Sequence, residues 1–129
     1  MPYGYNDWLA LTQEPTLEPD LPICDPHHHL WVQRAGVIPQ DYLLEDFLAD
    51  INSGHNVVST IFIECGTMFS TDGPIAFRPV GETQFANEVA AMSASGRYGK
   101  TRVAAGIVGT AYLSDGDSVG AVLDAQLAT

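Results

Sequence analysis

The run Asp25-Pro26-His27-His28-His29 places one carboxylate and three imidazoles side by side. Side chains two apart in an extended strand share a face. Asp25, His27 and His29 are therefore expected on one side, and His28 on the other. Two imidazoles on one face can both reach a single divalent cation, at about 2.0–2.1 Å each. An isolated histidine is most often a packed or solvated side chain, and two ligands do not complete a site that needs three or more. His28 is the least suited of the three to be a ligand. His55, alone after a helix end, reads as a solvated or capping residue.

Positioning these residues requires a strand that ends where they begin to point outward. Residues 23–29 read as that strand, and 30–40 as a loop holding Trp31, Gly36 and Pro39. Over 41–52 the period becomes helical, with Leu43, Leu44, Phe47, Leu48 and Ile51 recurring along one stripe and Gly54 placed to end it. Residues 57–64 form a second strand, rich in β-branched side chains and nearly continuous in apolar character, as a strand covered on both faces would be. A long loop, 66–81, is of a length that often carries function. A helix over 82–95 follows, with Phe85, Val89 and Met92 on one face and Gly96 closing it. Residues 102–109 read as a third strand. Asp115 or Asp117 is placed to cap a last helix carrying Val119, Val122, Leu123 and Leu127. Strand and helix alternate throughout, which implies an α/β fold with parallel strands. The histidine run then stands at the carboxyl end of the first strand, where such folds build active sites.

Composition narrows the class of partner. The chain has 129 residues, 46% hydrophobic and 16% charged, which suits one globular domain rather than a disordered segment. Its net charge of -11 argues against nucleic acid or an anionic membrane surface as partner. A small-molecule substrate fits better. No apolar run approaches the length of a membrane span, and the first basic side chain is Arg34, so no signal peptide is expected. Cys24 and Cys65 lie in apolar runs and read as buried free thiols, with a reactive role the less common alternative. A reducing, cytoplasmic setting follows. Residues 1–22, with Pro2, Pro15, Pro19 and Pro22, read as an extended lead-in packed through Tyr3, Tyr5 and Trp8.

The stretch Ile23-Cys24-Asp25-Pro26-His27-His28-His29-Leu30-Trp31 resembles the opening strand of the amidohydrolase-related family, TIM-barrel hydrolases whose first strand carries His-x-His after an Asp. The lactonase-like branch is the most similar. Thr60-Ile61-Phe62-Ile63-Glu64-Cys65-Gly66 resembles that branch's second strand. Arg78-Pro79-Val80-Gly81-Glu82-Thr83 resembles the segment leading into its second helix, and Arg102-Val103-Ala104-Ala105-Gly106-Ile107-Val108-Gly109 its third strand. The resemblance covers residues 23–129. It implies the first three strand–helix units of a (β/α)8 TIM barrel, preceded by the extension over 1–22.

That resemblance makes His27 and His29 metal ligands, with zinc the expected divalent cation, although some members of the branch act without metal. Asp25 either supports the pair from the same face or orients the backbone, and Glu64, closing the second strand, is a catalytic candidate that binds metal or substrate. Arg78 either holds a substrate carboxylate or is an exposed loop charge. Glu82 is better read as a residue favoured by the dipole at its helix N-terminus. The implied activity is hydrolysis of a cyclic ester, the lactone of a sugar acid or an aromatic breakdown product. An amidohydrolase-type decarboxylase of aromatic or muconate acids is the enzymatic alternative, and a non-catalytic metal-binding or interaction module the other. The family's histidines on middle strands and Asp on the last strand have no counterpart in these residues, so the chain reads as a fragment inactive alone. An arc of three units leaves a strand edge unpaired, so self-association is expected.

Overall fold

The computed structural model describes Trp8, residues 10–33, Ile38 and residues 40–129. Tyr3, Tyr5, Arg34, Gly36 and Pro39 lie outside these residues. Three strands, β1 (Pro22–His28), β2 (Asn56–Ile63) and β3 (Arg102–Val108), form a parallel sheet in the order β1-β2-β3. Three helices follow them in turn: α1 (Leu44–Ile51), α2 (Val80–Ala94) and α3 (Val119–Leu127). The mixed α/β architecture read from the alternation of periods is therefore present, with a parallel sheet.

Local chemistry explains the elements. β2 is built from Val57, Val58, Thr60, Ile61 and Ile63, whose branched Cβ atoms suit a pleated surface. In α1, Leu44 and Phe47 are buried while Glu45 and Asp46 sit in the exposed first turn. Asp46 Oδ2 accepts a bond from the Leu43 amide at 3.1 Å and so satisfies a free N–H group at the helix start. The helix ends at Asn52, whose Nδ2 donates to the Leu48 carbonyl at 2.7 Å.

One continuous core gathers Leu30, Leu44, Phe47, Phe62, Ala86, Val89, Val103 and Ala104, linking α1 and α2 to the sheet. A side chain as fully buried as Phe62 or Leu30 contributes about 1.5–3 kcal/mol. Ser93 of α2 ties its helix to β3: its hydroxyl accepts from the Val103 amide at 2.9 Å and donates to the Thr101 carbonyl at 2.7 Å. α3 is joined to α2 by a hydrogen bond from the Thr83 hydroxyl to Gln126 and by Asn87 Nδ2 donating to the Thr129 carbonyl.

The sheet has three register shifts, one between Ile23 and Cys24 and two that bear on the site. Between Asp25 and His28, β1 advances three residues while β2 advances two, from Thr60 to Phe62. The slip contains Pro26, which has no N–H to give to a ladder. Between Ser59 and Ile61 of β2, β3 runs from Arg102 to Gly106. Ala104 sits there with φ +50°, fully inside the protein. The hydroxyl of Thr60 accepts its amide at 3.0 Å, replacing the missing ladder bond.

Several expectations need correction. β2 is not covered on both faces among the described residues: Thr60 and Phe62 are buried, but Ile61 and Ile63 are half-buried and Val58 is exposed. The helices lie over one face only. Cys24 is exposed rather than buried, since β1 alternates there, with Ile23 and Asp25 half-buried and Pro22 and Cys24 facing out; Cys65 is half-buried, and both are free thiols. Trp8 is 67% exposed and does not pack the lead-in. Met92 is exposed although Val89 is buried. Neither Asp115 nor Asp117 caps α3: Leu113–Ser118 is a 3-10 segment kinked at Gly116, and Ser118 stands at the helix start without a side-chain cap. Among the described residues no helix is long and apolar enough to cross a membrane.

Candidate functional site

The carboxyl end of β1 divides its three histidines between two environments. His28 turns under α1, 5% exposed, where it stacks on Phe47 with ring centroids 4.3 Å apart and meets Phe62 edge-on. Neither of its ring nitrogens has a hydrogen-bond partner. Burial lowers its pKa to about 4; the Ile61 carbonyl and the Asp25 charge pull the other way without offsetting it. His28 is neutral at physiological pH and packs as an aromatic core side chain.

His27 and His29 face the other way and converge. Their Nε2 atoms are 3.2 Å apart, with the rings at 88°. His29 is half-buried, and its Nδ1 lies 2.9 Å from the carbonyl oxygen of Ile63, the last residue of β2. A carbonyl only accepts, so Nδ1 carries the proton and Nε2 presents a lone pair. Metal-binding histidines are held in this way, with the second ring nitrogen donating to a carbonyl or carboxylate. Two nitrogens each about 2.0–2.1 Å from one cation stand roughly 3.0–3.4 Å apart, and the observed separation fits. Without a cation, His27 Nε2–H donates to His29 Nε2; a cation between them would need the His27 proton on Nδ1 instead, with the ring still neutral.

Asp25 acts on the backbone. Its Oδ1 accepts the His27 amide at 3.1 Å, closing the irregular step in β1. The register of β1 against β2 slips between Asp25 and His28. Glu64 directly follows β2 and is exposed, its amide bonded to the Val108 carbonyl at 2.9 Å. Among the described residues no group of three or more His, Cys, Asp or Glu side chains is arranged to hold a metal ion.

Compared with protein-family models, curated proteins and solved structures, the chain matches none. The site must therefore be read from its own geometry.

A cleft of about 400 Å³ opens between the segments that follow β1 and β2, lined among others by Trp31, Val32, Cys65, Gly66, Thr67 and Met68; His27, His29 and Glu64 do not line it. The Trp31 ring stands 6.0 Å from that of His29 and is braced by Tyr42, with which it exchanges two backbone hydrogen bonds. A volume of this size suits a small molecule. Arg78 is half-buried at the end of the 3-10 segment Ile75–Phe77, with its Nε buried and unpartnered, and it does not line this cleft. Burial, and next the Glu82 carboxylate nearby, push the Cys65 thiol up to about 12. It stays protonated near neutral pH, unlike a nucleophilic cysteine.

Glu82 stands in the first turn of α2, as expected, and does more there than meet the helix dipole. It is 1% exposed, and its Oε1 accepts the amides of Cys65 and Thr67, each at 2.9 Å, while Oε2 is buried without a partner. Its task is to close the turn after β2, not merely to sit favourably at a helix N-terminus. The only signal in the sequence was an acid one residue past Gly81, following a glycine-bearing loop.

Proposed function

We propose that this chain forms the opening arc of a metal-dependent (β/α)8 hydrolase acting on a cyclic ester, with His27 and His29 as first-strand ligands of a divalent cation, zinc by preference. The observation that carries the reading is the 3.2 Å approach of the two Nε2 atoms, one of them fixed as a lone-pair donor by the Ile63 carbonyl. The parallel order β1-β2-β3 supports the barrel arc, since consecutive neighbouring parallel strands with intervening helices are its repeating unit.

A cation at this pair supplies Lewis acidity toward an ester carbonyl and lowers the pKa of a water. The chain's own residues do the rest. His27 and His29 hold the cation. Asp25 fixes the backbone that aims His27. Trp31, Val32 and Met68 offer an apolar wall to a small ring-shaped substrate in the cleft. Glu64, exposed at the mouth of β2, stands where a polar substrate group is approached. Self-association is part of this reading, because the outer edge of β3 and the exposed Leu113, Leu123 and Leu127 seek cover.

The test is zinc binding followed by turnover. Calorimetric titration of the metal-free chain is expected to show a zinc site that is lost in the double variant His27→Ala/His29→Ala. On a panel of sugar-acid and aromatic-derived lactones followed by base uptake, the chain alone is expected to show no zinc-stimulated hydrolysis. Zinc affinity unchanged in the double variant overturns the reading. Hydrolysis by this chain alone would overturn the reading of it as an arc that lacks its catalytic base.

A further inference from the structure

The cleft between the segments that follow β1 and β2 is walled chiefly by carbon. Trp31, Val32, Ile38 and Met68 supply large apolar side chains to it. The indole Nε1 of Trp31 is buried without a partner, so the part of this half-buried ring left open is carbon. The ring is also held in place. Trp31 and Tyr42 exchange two backbone hydrogen bonds, and the Tyr42 hydroxyl donates to Asp50 of α1 at 2.5 Å. Met68 is half exposed and has a left-handed backbone, with φ +52°; strain of this kind gathers where a chain holds a ligand. Thr67 is the polar exception. It is 7% exposed, its hydroxyl accepts the Val32 amide at 3.3 Å, and its own proton has no acceptor among the described residues. Cys65 brings no charge, because its thiol is held protonated, chiefly by burial, and donates to the Leu30 carbonyl at 3.4 Å.

We infer that this cleft takes a flat aromatic ring carrying a carbonyl oxygen, with the ring against Trp31 and Met68 and the oxygen accepting the Thr67 hydroxyl proton. A flat ring offset over an indole gains apolar contact and a favourable pairing of quadrupoles. A thioether at the edge of an aromatic ring adds to both. The volume of about 400 Å³ admits such a molecule, and a wall already fixed in place loses little freedom when it arrives. A polyol fits poorly. Each hydroxyl of a sugar-acid lactone that leaves water needs a partner. Among the described lining residues, and apart from the buried Trp31 nitrogen, only Gln33, Cys65 and Thr67 carry polar side-chain atoms. Of the two lactone classes in the proposed function, the cleft therefore selects the aromatic-derived one. That the ligand is a substrate rests on that reading; its fit to the cleft does not.

Proton–nitrogen correlation spectra of the whole chain, nitrogen-labelled and freed of metal, test the cleft without the zinc site. Phthalide, a planar benzo-fused lactone, is the probe. Saturable shifts are expected at the amides of Trp31, Val32, Thr67 and Met68. Hexahydrophthalide has the same skeleton with a puckered, saturated ring, and D-galactonolactone is a polyol; both are expected to bind about tenfold more weakly or worse. Trp31→Ala should lower phthalide affinity about tenfold, while Trp31→Phe, which keeps a flat ring, retains most of it. Thr67→Val should weaken binding about fivefold, and Thr67→Ser should restore it. Equal affinity for phthalide and either comparison lactone overturns the assignment. So does the absence of saturable shifts, or their confinement to amides away from the cleft. These comparisons use the wild type, so they decide even where Trp31→Ala fails to fold. Failure of zinc to bind at His27 and His29 leaves phthalide binding untouched, and failure of phthalide leaves the zinc titration untouched.

Discussion

His28 lies flat against Phe47, their planes 10° apart, and has no hydrogen-bond partner for either ring nitrogen. Its pKa is lowered to about 4 in the fold, chiefly by burial, from an ordinary value of 6.5. Between those values the unfolded chain binds a proton that the folded chain does not. Stability is therefore intact above about pH 6.5 and falls as the pH drops toward 4, where this loss is complete. The full difference amounts to at most about 3 kcal/mol. Urea unfolding of wild type and His28→Phe at pH 7.5 and 4.5 checks the point. The variant is expected to lose less stability across the interval; equal losses would show that His28 is not the source.

Zinc should stabilise the fold through the other two histidines. A cation that binds only the native state adds about 2.7 kcal/mol at a free concentration one hundred times its dissociation constant. Thermal unfolding with zinc and then with a chelator is expected to show a reversible rise in Tm. His29→Ala should abolish the rise, while His55→Ala, altering an exposed histidine after α1, should keep it. A rise that persists in His29→Ala would place the cation elsewhere on the chain.

The convergence of His27 and His29 was legible because a two-residue spacing in a strand has a single geometric meaning. The same rule placed His28 on the opposite face. It gave no sign that Pro26 interrupts the ladder and that the register slips between Asp25 and His28. Helix boundaries were close where apolar stripes were strong, as in Leu44–Ile51, and poor at α3, where a 3-10 segment precedes the helix. Glu82 was legible as an acid in the first turn of its helix, but its partners were not. A local rule about helix dipoles explains an acid at a helix start, whereas its actual partners, Cys65 and Thr67, are brought to it only by tertiary packing.

Thr60 offers a sharper case of a side chain standing in for backbone. It is fully buried in β2, and its hydroxyl takes the Ala104 amide where β3 bulges past it. Thr60→Val keeps the shape and removes the acceptor. The orphaned buried N–H is expected to cost about 1–3 kcal/mol. Urea midpoints measure this, and hydrogen exchange at Ala104 should accelerate beyond the change at Val103, whose amide remains bonded to Ser93. A Thr60→Val protein as stable as wild type would mean that the Ala104 amide finds another acceptor at no cost.

Gly81 is where the long loop packs closest on α2. It lies in the first turn of α2 beside Glu82, and the loop backbone passes directly over it. A methyl group there would stand 2.6 Å from the Met68 carbonyl oxygen and 2.7 Å from the Ser70 amide nitrogen. Both are backbone atoms, and the Ser70 amide is itself bonded to the Arg78 carbonyl at 2.9 Å, so neither can step aside like a flexible side chain. Met68 already holds a φ of +52°, a region costing roughly 1–2 kcal/mol for a residue with a Cβ. Gly81→Ala must push the loop away from α2. The expected loss is about 1–3 kcal/mol, the range found for overpacking. Because Met68 and Thr67 line the cleft, the same change should quench or shift the fluorescence of Trp31. Subtracting the signal of a Trp31→Phe background removes the contribution of the exposed Trp8. A Gly81→Ala chain with unchanged stability and unchanged Trp31 emission would mean that the loop over α2 is free to move and does not shape the cleft.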